Sequence, residues 1–146
     1  MSEFMDVYTR ASKLVRGVTD AAMRRHGLHL GQNLVLAALW EADGQTPGAI
    51  AATAEVTTPT IVKMANRMSA AGLVVRRRDD RDNRLVRLYL TDAGRALRGP
   101  IENEMKSIEA QLTAGLDESE AKALMAVLGR VADNARAQLA DPVIDC

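Results

Sequence analysis

The chain of 146 residues has few of the features that mark a secreted or membrane protein. Its single cysteine, Cys146, cannot form an intrachain disulfide, which is compatible with a reducing cytoplasm. No stretch approaches the roughly 18 apolar residues of a membrane-spanning helix. The first residues, MSEFMDVYTRASK, include acidic and polar side chains early and contain no apolar signal core. We therefore expect a cytoplasmic protein with no membrane partner.

Residue sets that catalyse reactions or hold metals are also missing. There is no phosphate-binding glycine loop, no paired-histidine zinc motif, and no Ser-His-Asp or Cys-His arrangement at a plausible spacing. The two histidines, His26 and His29, flank a glycine in one connection and define no ligand set. We interpret them as loop or surface residues, with metal ligation as the alternative. The sequence thus predicts a protein that is not an enzyme and has neither cofactor nor metal.

Aromatic residues make up only 3% of the chain, and Trp40 is its single tryptophan. We interpret Trp40 as filler of the core or of an interface, with a place in the wall of an effector pocket as the alternative. The length suits one domain with helical extensions and is sufficient for a real core. The sequence contains no evident internal repeat or low-complexity segment.

The most informative stretch begins with a helix that has one packed face and one open face. Apolar residues recur at helical spacing on one arc. We predict Thr58 as its N-cap and Pro59 as its first residue, because a proline ring needs no amide partner there. Gly72 is placed to end the helix. The packed arc consists of Ile61, Met64, Ala65 and Met68, and the open arc of Pro59, Val62, Lys63 and Asn66.

A basic β-hairpin follows this helix. Leu73 to Arg78 and Leu85 to Leu90 are β-type runs, and the loop DDRDNR between them is too charged to be buried. Ahead of the helix, the sequence predicts a shorter helix from Pro47 to Ala54, capped by Thr46. Two helices followed by an arginine-tipped hairpin indicate a winged helix-turn-helix. In such a fold one helix enters the major groove of DNA and the wing reaches an adjacent minor groove.

The formal net charge of zero conceals a segregated distribution of charge. From Lys63 to Arg98 there are ten Lys and Arg residues but only four Asp residues, so the remaining sequence is acidic. Basic charge collected on one module is what the neutralisation of DNA phosphates requires. The alternative is a solvated charged hairpin with no partner.

Helices are also predicted on both sides of this lobe, from about Asp6 to Arg25, from about Gly31 to Ala42, and after the hairpin to about Leu139. Pro100 interrupts and bends the first helix after the hairpin. The other boundaries predicted there are a cap at Thr91–Asp92, an end at Gly115, a capping box of Asp117 and Glu120, and a stop at Asp141–Pro142.

The first helix and the last two carry more apolar surface than a small winged core needs, and a dimer interface would use the surplus. We expect a mainly α fold with a small β-hairpin wing (α+β), in which a winged helix-turn-helix lobe is joined to a helical dimerisation stem. A single domain would span residues 1–146. The lobe would occupy about 30–95, and the dimerisation region about 1–28 and 96–142.

These features resemble the MarR family of bacterial transcription regulators over nearly the whole chain. DDRDNRLVRLYLTDAGR is similar to that family's wing signature, which ends in Leu-Thr-x-x-Gly-Arg, here Leu90 to Arg95. VTTPTIVKMANRMSAAGLVVRR is similar to its recognition helix. The resemblance implies a homodimer that binds a palindromic operator in double-stranded DNA. It further implies repression that is relieved by a small phenolic or other aromatic ligand.

The resemblance also assigns residues to the DNA. In the major groove, Thr60 and Val62 would touch a thymine methyl, and Lys63 would hold a phosphate or a guanine. In the minor groove, Arg84 and Arg81 would enter or flank a narrow A·T-rich segment. The residues carried over to the major groove are Thr57, Thr58, Pro59, Thr60, Lys63 and Arg67.

Some charged residues of the lobe are expected to have other roles. Asp82 is expected to orient a neighbouring wing arginine rather than to contact DNA. A salt bridge within the lobe is the alternative for Arg67. The three arginines from Arg76 to Arg78 are expected to contribute positive charge rather than base contacts.

An effector would enter a crevice between stem and lobe, lined by the first helix, the second helix around Trp40 and the helix after Thr91. A cysteine sensor or a metal sensor of the same family is disfavoured, because Cys146 is terminal and the histidines are not clustered with other ligands. Pro100 departs from the family's uninterrupted helix. Two alternatives to a specific regulator are a weakly specific architectural DNA-binding protein without effector and a module that binds protein.

Overall fold

The computed structural model describes residues 2–140, which form seven helices and a two-stranded antiparallel hairpin. The predicted mainly α fold with a small hairpin is confirmed, and Asp141, Pro142 and Cys146 lie outside the described residues. The elements are α1 (Glu3–Arg24), α2 (Gln32–Glu41), α3 (Pro47–Ala54), α4 (Thr58–Ala70), β1 (Val74–Arg78), β2 (Val86–Leu90), α5 (Asp92–Ala96), α6 (Arg98–Leu112) and α7 (Glu118–Leu139).

The chain divides into two compact units, one up to Ile108 and the other from Glu109 onward. The first unit contains α1 to α5 and most of α6, and therefore the whole of the helix-turn-helix and hairpin. The second contains the end of α6 and α7. None of the helices in the described part of the chain is long and apolar enough to cross a membrane.

The helix-turn-helix forms from two short helices that begin with threonine caps. Thr46 caps α3, as predicted, and its hydroxyl accepts a hydrogen bond from the Ala49 amide. The prediction for α4 was wrong by one residue, because Thr57 is the cap and Thr58 already lies in the helix. The Thr57 hydroxyl accepts from the Thr60 amide at 3.4 Å. Pro59 fits one position further in, because all amides of the first turn lack an intrahelical partner.

The core of the lobe lies between α2, α3, α4 and the hairpin. Ile61 and Met68 on the packed face of α4 are fully buried, together with Ile50 of α3. Leu88 of β2 is fully buried opposite Arg76 in the hairpin register. It also pairs with Gln45 in an isolated bridge, with its amide donating to the Gln45 carbonyl at 2.9 Å. This bridge holds the hairpin against the start of the helix-turn-helix.

The predicted long helix after the hairpin is in fact two helices. Thr91 caps α5, as predicted. However, α5 ends at Ala96 and α6 begins at Arg98, so the helix is interrupted at Leu97. Pro100 causes this division, because it has no amide to donate to the carbonyl of Ala96 four residues earlier. The break therefore lies three residues before the proline rather than at it.

The end of the described chain follows the prediction more closely. Helix α6 ends at Leu112, and Gly115 then adopts a φ of 87°, which glycine takes without strain. The predicted capping box is present, with the Asp117 side chain accepting from the Glu120 amide and the Glu120 side chain accepting from the Asp117 amide. Helix α7 runs to Leu139, as expected.

Candidate nucleic-acid interface

The outer face of α4 carries the residues predicted to enter the major groove. Thr57, Thr58 and Pro59 are exposed at its start, and Lys63 and Arg67 are exposed further along. Thr60 is half-buried, and its hydroxyl is 2.8 Å from the Thr57 hydroxyl. The hydroxyl of Thr60 is therefore in contact with the residue that caps α4.

Lys63 and Arg67 keep their positive charge uncompensated. Within residues 2–140, neither makes an ion pair or a hydrogen bond through its side chain. The salt bridge considered as an alternative for Arg67 does not form in this part of the chain. Both side chains are thus available to a negatively charged partner.

A contact that the sequence did not reveal joins α4 to the hairpin. The Arg76 guanidinium donates to the Asn66 side-chain oxygen at 2.7 Å. Because the oxygen of Asn66 is occupied, its amide group is left as a donor on the open face of the helix. Arg76 therefore positions a residue of α4, in addition to contributing the positive charge that was predicted for it. The pairing depends on how the hairpin docks on α4, which local sequence patterns do not specify.

The wing is defined here as Val74–Leu90. The loop at its tip is built around Asp82. The Arg84 side chain donates to both carboxylate oxygens, at 3.1 and 3.3 Å, and these bonds lower the pKa of Asp82. Asp82 thus pairs with a wing arginine, as expected, and its expected lack of contact with DNA stays a prediction. The Arg84 side chain remains 91% exposed. Arg81 is also exposed, and within the described chain its side chain has no hydrogen-bond or ion-pair partner.

The base of the wing is held by a second ion pair, which the sequence analysis missed. Arg87 donates to Asp79 at 2.9 Å and to the Gly44 carbonyl at 3.0 Å, so it links the wing to the turn after α2. Asp79 also accepts from the amides of Arg81 and Asp82, which shapes the loop. The position of Asp79 directly after a strand is a signal for such a turn, but its pairing with Arg87 requires the hairpin register.

The Asp79 pair predicts a pH dependence of stability. The hydrogen bond from Arg87, aided by the Asp82 amide, lowers the pKa of Asp79. Because the folded pKa is depressed, the stabilisation is fully present above the unfolded value of about 3.9 and is lost as pH falls through the folded value. We expect Asp79→Asn to lower the melting temperature at neutral pH, with a difference from wild type that shrinks below about pH 4.

Thermal unfolding followed by circular dichroism between about pH 3 and 8 measures this difference. Asp80→Asn is the matched control, because Asp80 is an exposed neighbour with no ion-pair partner within residues 2–140. A difference for Asp79→Asn that stays constant down to the lowest pH would contradict this role for the carboxylate.

A cavity of about 540 Å³ lies between α2 and α6. Trp40 forms part of its wall, and its indole N–H donates to the Gly94 carbonyl at 3.0 Å. Of the walls predicted for an effector crevice, the second helix and the helix after Thr91 are present, but no residue of α1 lines this cavity. The lining residues are Asn33, Ala37, Trp40, Glu41, Ile101, Glu102, Met105 and Lys106.

The two histidines lie in the connection between α1 and α2. His26 is partly buried, with its Nε2 3.9 Å from Glu104, which also pairs with Arg25. His29 is exposed. Within residues 2–140 there is no group of three His, Cys, Asp or Glu side chains that could hold a metal ion.

Comparison with known proteins relates this arrangement to transcription regulators. The family model "MarR family" matches residues 26–85, which include α2, the helix-turn-helix, β1 and the loop of the hairpin but not β2. The chain is 33% identical over 99 residues to the HTH-type transcriptional regulator TtmR of Methylorubrum extorquens, covering 68% of this chain and 51% of that protein. It is 25% identical to the HTH-type transcriptional regulator MgrA of Staphylococcus aureus over 86% of this chain and 84% of that protein.

Solved structures with the same fold cover almost the whole chain. The transcriptional regulator SlyA matches with a TM-score of 0.84 at 21% identity, covering 94% of this chain and 96% of that one. Reduced AbfR bound to DNA matches with a TM-score of 0.80 at 21% identity, over 94% and 92%. CouR from Rhodococcus jostii RHA1 bound to p-coumaroyl-CoA matches with a TM-score of 0.75 at 23% identity, over 90% and 92%.

Proposed function

Because the chain belongs to the MarR family of DNA-binding transcriptional regulators, we propose that it is a homodimeric repressor of a palindromic operator. One observation carries this proposal. The outer face of α4 bears Lys63 and Arg67 without ion-pair partners within residues 2–140, beside a wing whose Arg84 is 91% exposed. Cations on a helix and on an adjoining wing suit contacts with a major groove and a neighbouring minor groove.

Dimerisation is supported by apolar side chains that the single chain leaves in solvent. On α1, Val7, Leu14 and Val15 are 56%, 63% and 41% exposed. On α7, Met125 and Val127 are each 53% exposed. A second copy of the chain would remove such surfaces from water, and a two-fold axis would present two recognition helices to two half-sites about one helical turn apart.

The experiment that tests this function is retention of fragmented source-genome DNA by the purified protein at physiological salt, followed by sequencing. We expect enrichment of a palindrome of roughly 16–20 base pairs with half-sites about one turn apart. Retention without a shared sequence would instead favour the architectural DNA-binding alternative. Repression then requires that the protein lower transcription from a promoter carrying the retained site, and activation of that promoter would refute the repressor role.

The cavity beside Trp40 is the site we propose for a small aromatic effector, and the ligand-bound state of CouR supports this use of the fold. Ala37, Trp40, Ile101 and Met105 provide apolar wall. Lys106 provides a cation, and the buried side-chain oxygen of Asn33 has no hydrogen-bond partner within the described residues. Apolar walls with a few polar groups suit an aromatic acid or phenol. Its binding would favour a dimer whose recognition helices no longer match the operator spacing.

Trp40 provides a direct measurement of this binding, because it is the only tryptophan in the chain. We expect hydroxycinnamic or hydroxybenzoic acids that occupy the cavity to change the tryptophan fluorescence and to weaken operator binding over the same concentration range. Lys106→Gln should weaken binding of the acids by about tenfold and leave neutral phenols unaffected. Release of the operator with no change in Trp40 fluorescence would place the effector elsewhere.

A further inference from the structure

A second cavity, of about 290 Å³, opens between the start of α2 and the outer face of α4. It is separate from the cavity beside Trp40, with which it shares only the start of α2 as a wall element. No acidic side chain lines it. The lining residues are His29, Leu30, Gln32, Thr60, Lys63, Met64 and Arg67.

The two walls of this cavity are in close contact at Gly31. This residue has a φ of 96°, and a Cβ atom added there would lie 2.6 Å from the Met64 Cε atom. The absence of a side chain at Gly31 therefore lets the beginning of α2 approach α4. Gly31 is also the N-cap of α2, so no side chain caps this helix. The walls are thus set by backbone and core packing rather than by surface side chains alone.

Gln32 provides the cavity with a hydrogen-bond donor whose orientation is fixed. Its side chain is buried, with only 5% of the residue exposed. Its oxygen accepts a hydrogen bond from the His29 amide at 3.2 Å, which fixes the orientation of the side-chain amide. The NH₂ group has no acceptor within residues 2–140. The NH₂ group can therefore donate a hydrogen bond to a ligand in the cavity.

Lys63 and Arg67 add two positive charges to the same cavity. Together with Gln32 they offer hydrogen-bond donors and positive charge, and there is no carboxylate in the lining to neutralise them. A guanidinium and an ammonium beside an amide donor match the oxygens of a phosphate, which accept several charge-assisted hydrogen bonds. A neutral or cationic ligand would leave these charges uncompensated.

We propose that this cavity binds one phosphate group of the DNA backbone in each half-site, held by Gln32, Lys63 and Arg67. The proposal rests on the proposed DNA-binding function, because it takes the phosphate from a duplex against the outer face of α4. It assigns Arg67 and Lys63 to positioning contacts rather than to base reading, and it adds Gln32 of α2 to the interface. Such contacts fix the register of a protein on DNA without specifying sequence.

The test pairs protein variants with DNA in which single phosphates are replaced by neutral methylphosphonates. For wild type, we expect one position in each half-site at which the replacement weakens binding by about tenfold. For Arg67→Gln, binding to unmodified DNA should already be weaker, and replacement at that position should have a smaller further effect than in wild type. For Gln32→Glu, binding to unmodified DNA should also be weaker, but replacement at that position should strengthen it, because it removes the repulsion between the phosphate and the new carboxylate. Arg67→Gln should also lower the salt slope by about one, by the same amount for all operator sequences.

Gln32→Glu keeps the oxygen that accepts from His29 but replaces the donor with a carboxylate, so it tests the buried group with little change of shape. Lys122→Gln on α7 is the matched control for removal of a positive charge, because Lys122 is not part of either cavity. The melting temperature of each variant shows whether it is folded. The proposal is overturned if no phosphate position shows these changed effects in the folded cavity variants, or if the loss for Arg67→Gln is confined to one base pair.

Experiments with inorganic phosphate show whether the cavity binds only a phosphate of the DNA backbone or also the free ion. They also distinguish failure of the anion site from failure of the proposed DNA-binding function. At equal ionic strength set with chloride, phosphate that displaces DNA from wild type but not from Arg67→Gln would mean that the cavity also takes the free ion. If wild type bound no DNA at all, the function proposed above would fail. The anion site would then be decided by calorimetric titration of wild type and Arg67→Gln with inorganic phosphate, and equal heats would refute it.

Discussion

Replacement of Gly94 by alanine is expected to destabilise the protein by about 1–3 kcal/mol or more. Gly94 is buried in α5, and an added Cβ atom would overlap the carbonyl oxygen of Leu73. It would also lie 3.2 Å from the Leu90 side chain. The Leu73 carbonyl cannot move away freely, because it accepts the Thr91 amide at 3.1 Å where the hairpin meets α5. The clash is with backbone, so rotation of a side chain cannot relieve it.

Gly17→Ala is the matched control for this substitution. Gly17 lies in the interior of α1, and an added Cβ there would meet no packed neighbour within 4 Å. Alanine is the better helix former, so this variant should be more stable by about 0.5–1 kcal/mol. Equilibrium unfolding in urea, followed by circular dichroism, compares the two variants with wild type. Equal stability of Gly94→Ala and wild type would show that the hairpin and α5 are not packed as described.

The last six residues of the wing signature, Leu90 to Arg95, build the joint between the wing and the helix that follows it. The Thr91 hydroxyl accepts from the Gly94 amide and donates to the Gly72 carbonyl at 2.6 Å. Arg95 donates to the Leu90 carbonyl at 3.1 Å and pairs with Asp92. These contacts connect the end of α4, the hairpin and α5. The Leu-Thr-x-x-Gly-Arg pattern is therefore tied to the fold, whereas DNA contact is assigned to other residues.

Local chemistry made most of the fold predictable from the sequence. Threonine and aspartate caps, glycine after a helix and strand alternation each act over a few residues, so α3, α7 and both strands were placed within a residue or so. The errors came where two local signals compete. Thr57 and Thr58 both precede Pro59, and only the position of the Thr60 amide selects the cap. The exact break near Pro100 likewise depends on which carbonyl loses its donor.

The candidate interface was predictable in part. The open face of α4 with Lys63 follows from helical periodicity, whereas the wing arginines and the pairing of Asp82 with one of them were expected from the resemblance to the MarR family. The pairing of Arg76 with Asn66 was not predictable in this way. Nor was the cavity that brings Gln32 beside Arg67, because the two residues lie on different helices. Such contacts depend on packing between elements, for which a single sequence gives no spacing rule.

Arg84→Ala is expected to weaken operator binding by about 1–3 kcal/mol, or roughly 5- to 150-fold, if the side chain reads the minor groove. Asp82 already holds the guanidinium by two hydrogen bonds, so less conformational freedom is lost when DNA binds. The cost of the substitution should be largest for operators with a narrow A·T-rich minor groove opposite the wing, where the negative potential is strongest. Fluorescence anisotropy with labelled operators that differ only in that segment measures both effects.

Two further variants separate groove reading by Arg84 from a general effect of charge. Arg84→Lys keeps the charge but loses the planar fork, so it should recover only part of the affinity and little of the preference for A·T-rich DNA. Arg130→Ala on α7 removes a positive charge outside the proposed interface. This variant should keep the preference of wild type for A·T-rich DNA. If Arg84→Ala bound the operator as tightly as wild type, the wing would not contact the groove. The proposed interface would then be limited to α4 and the start of α2.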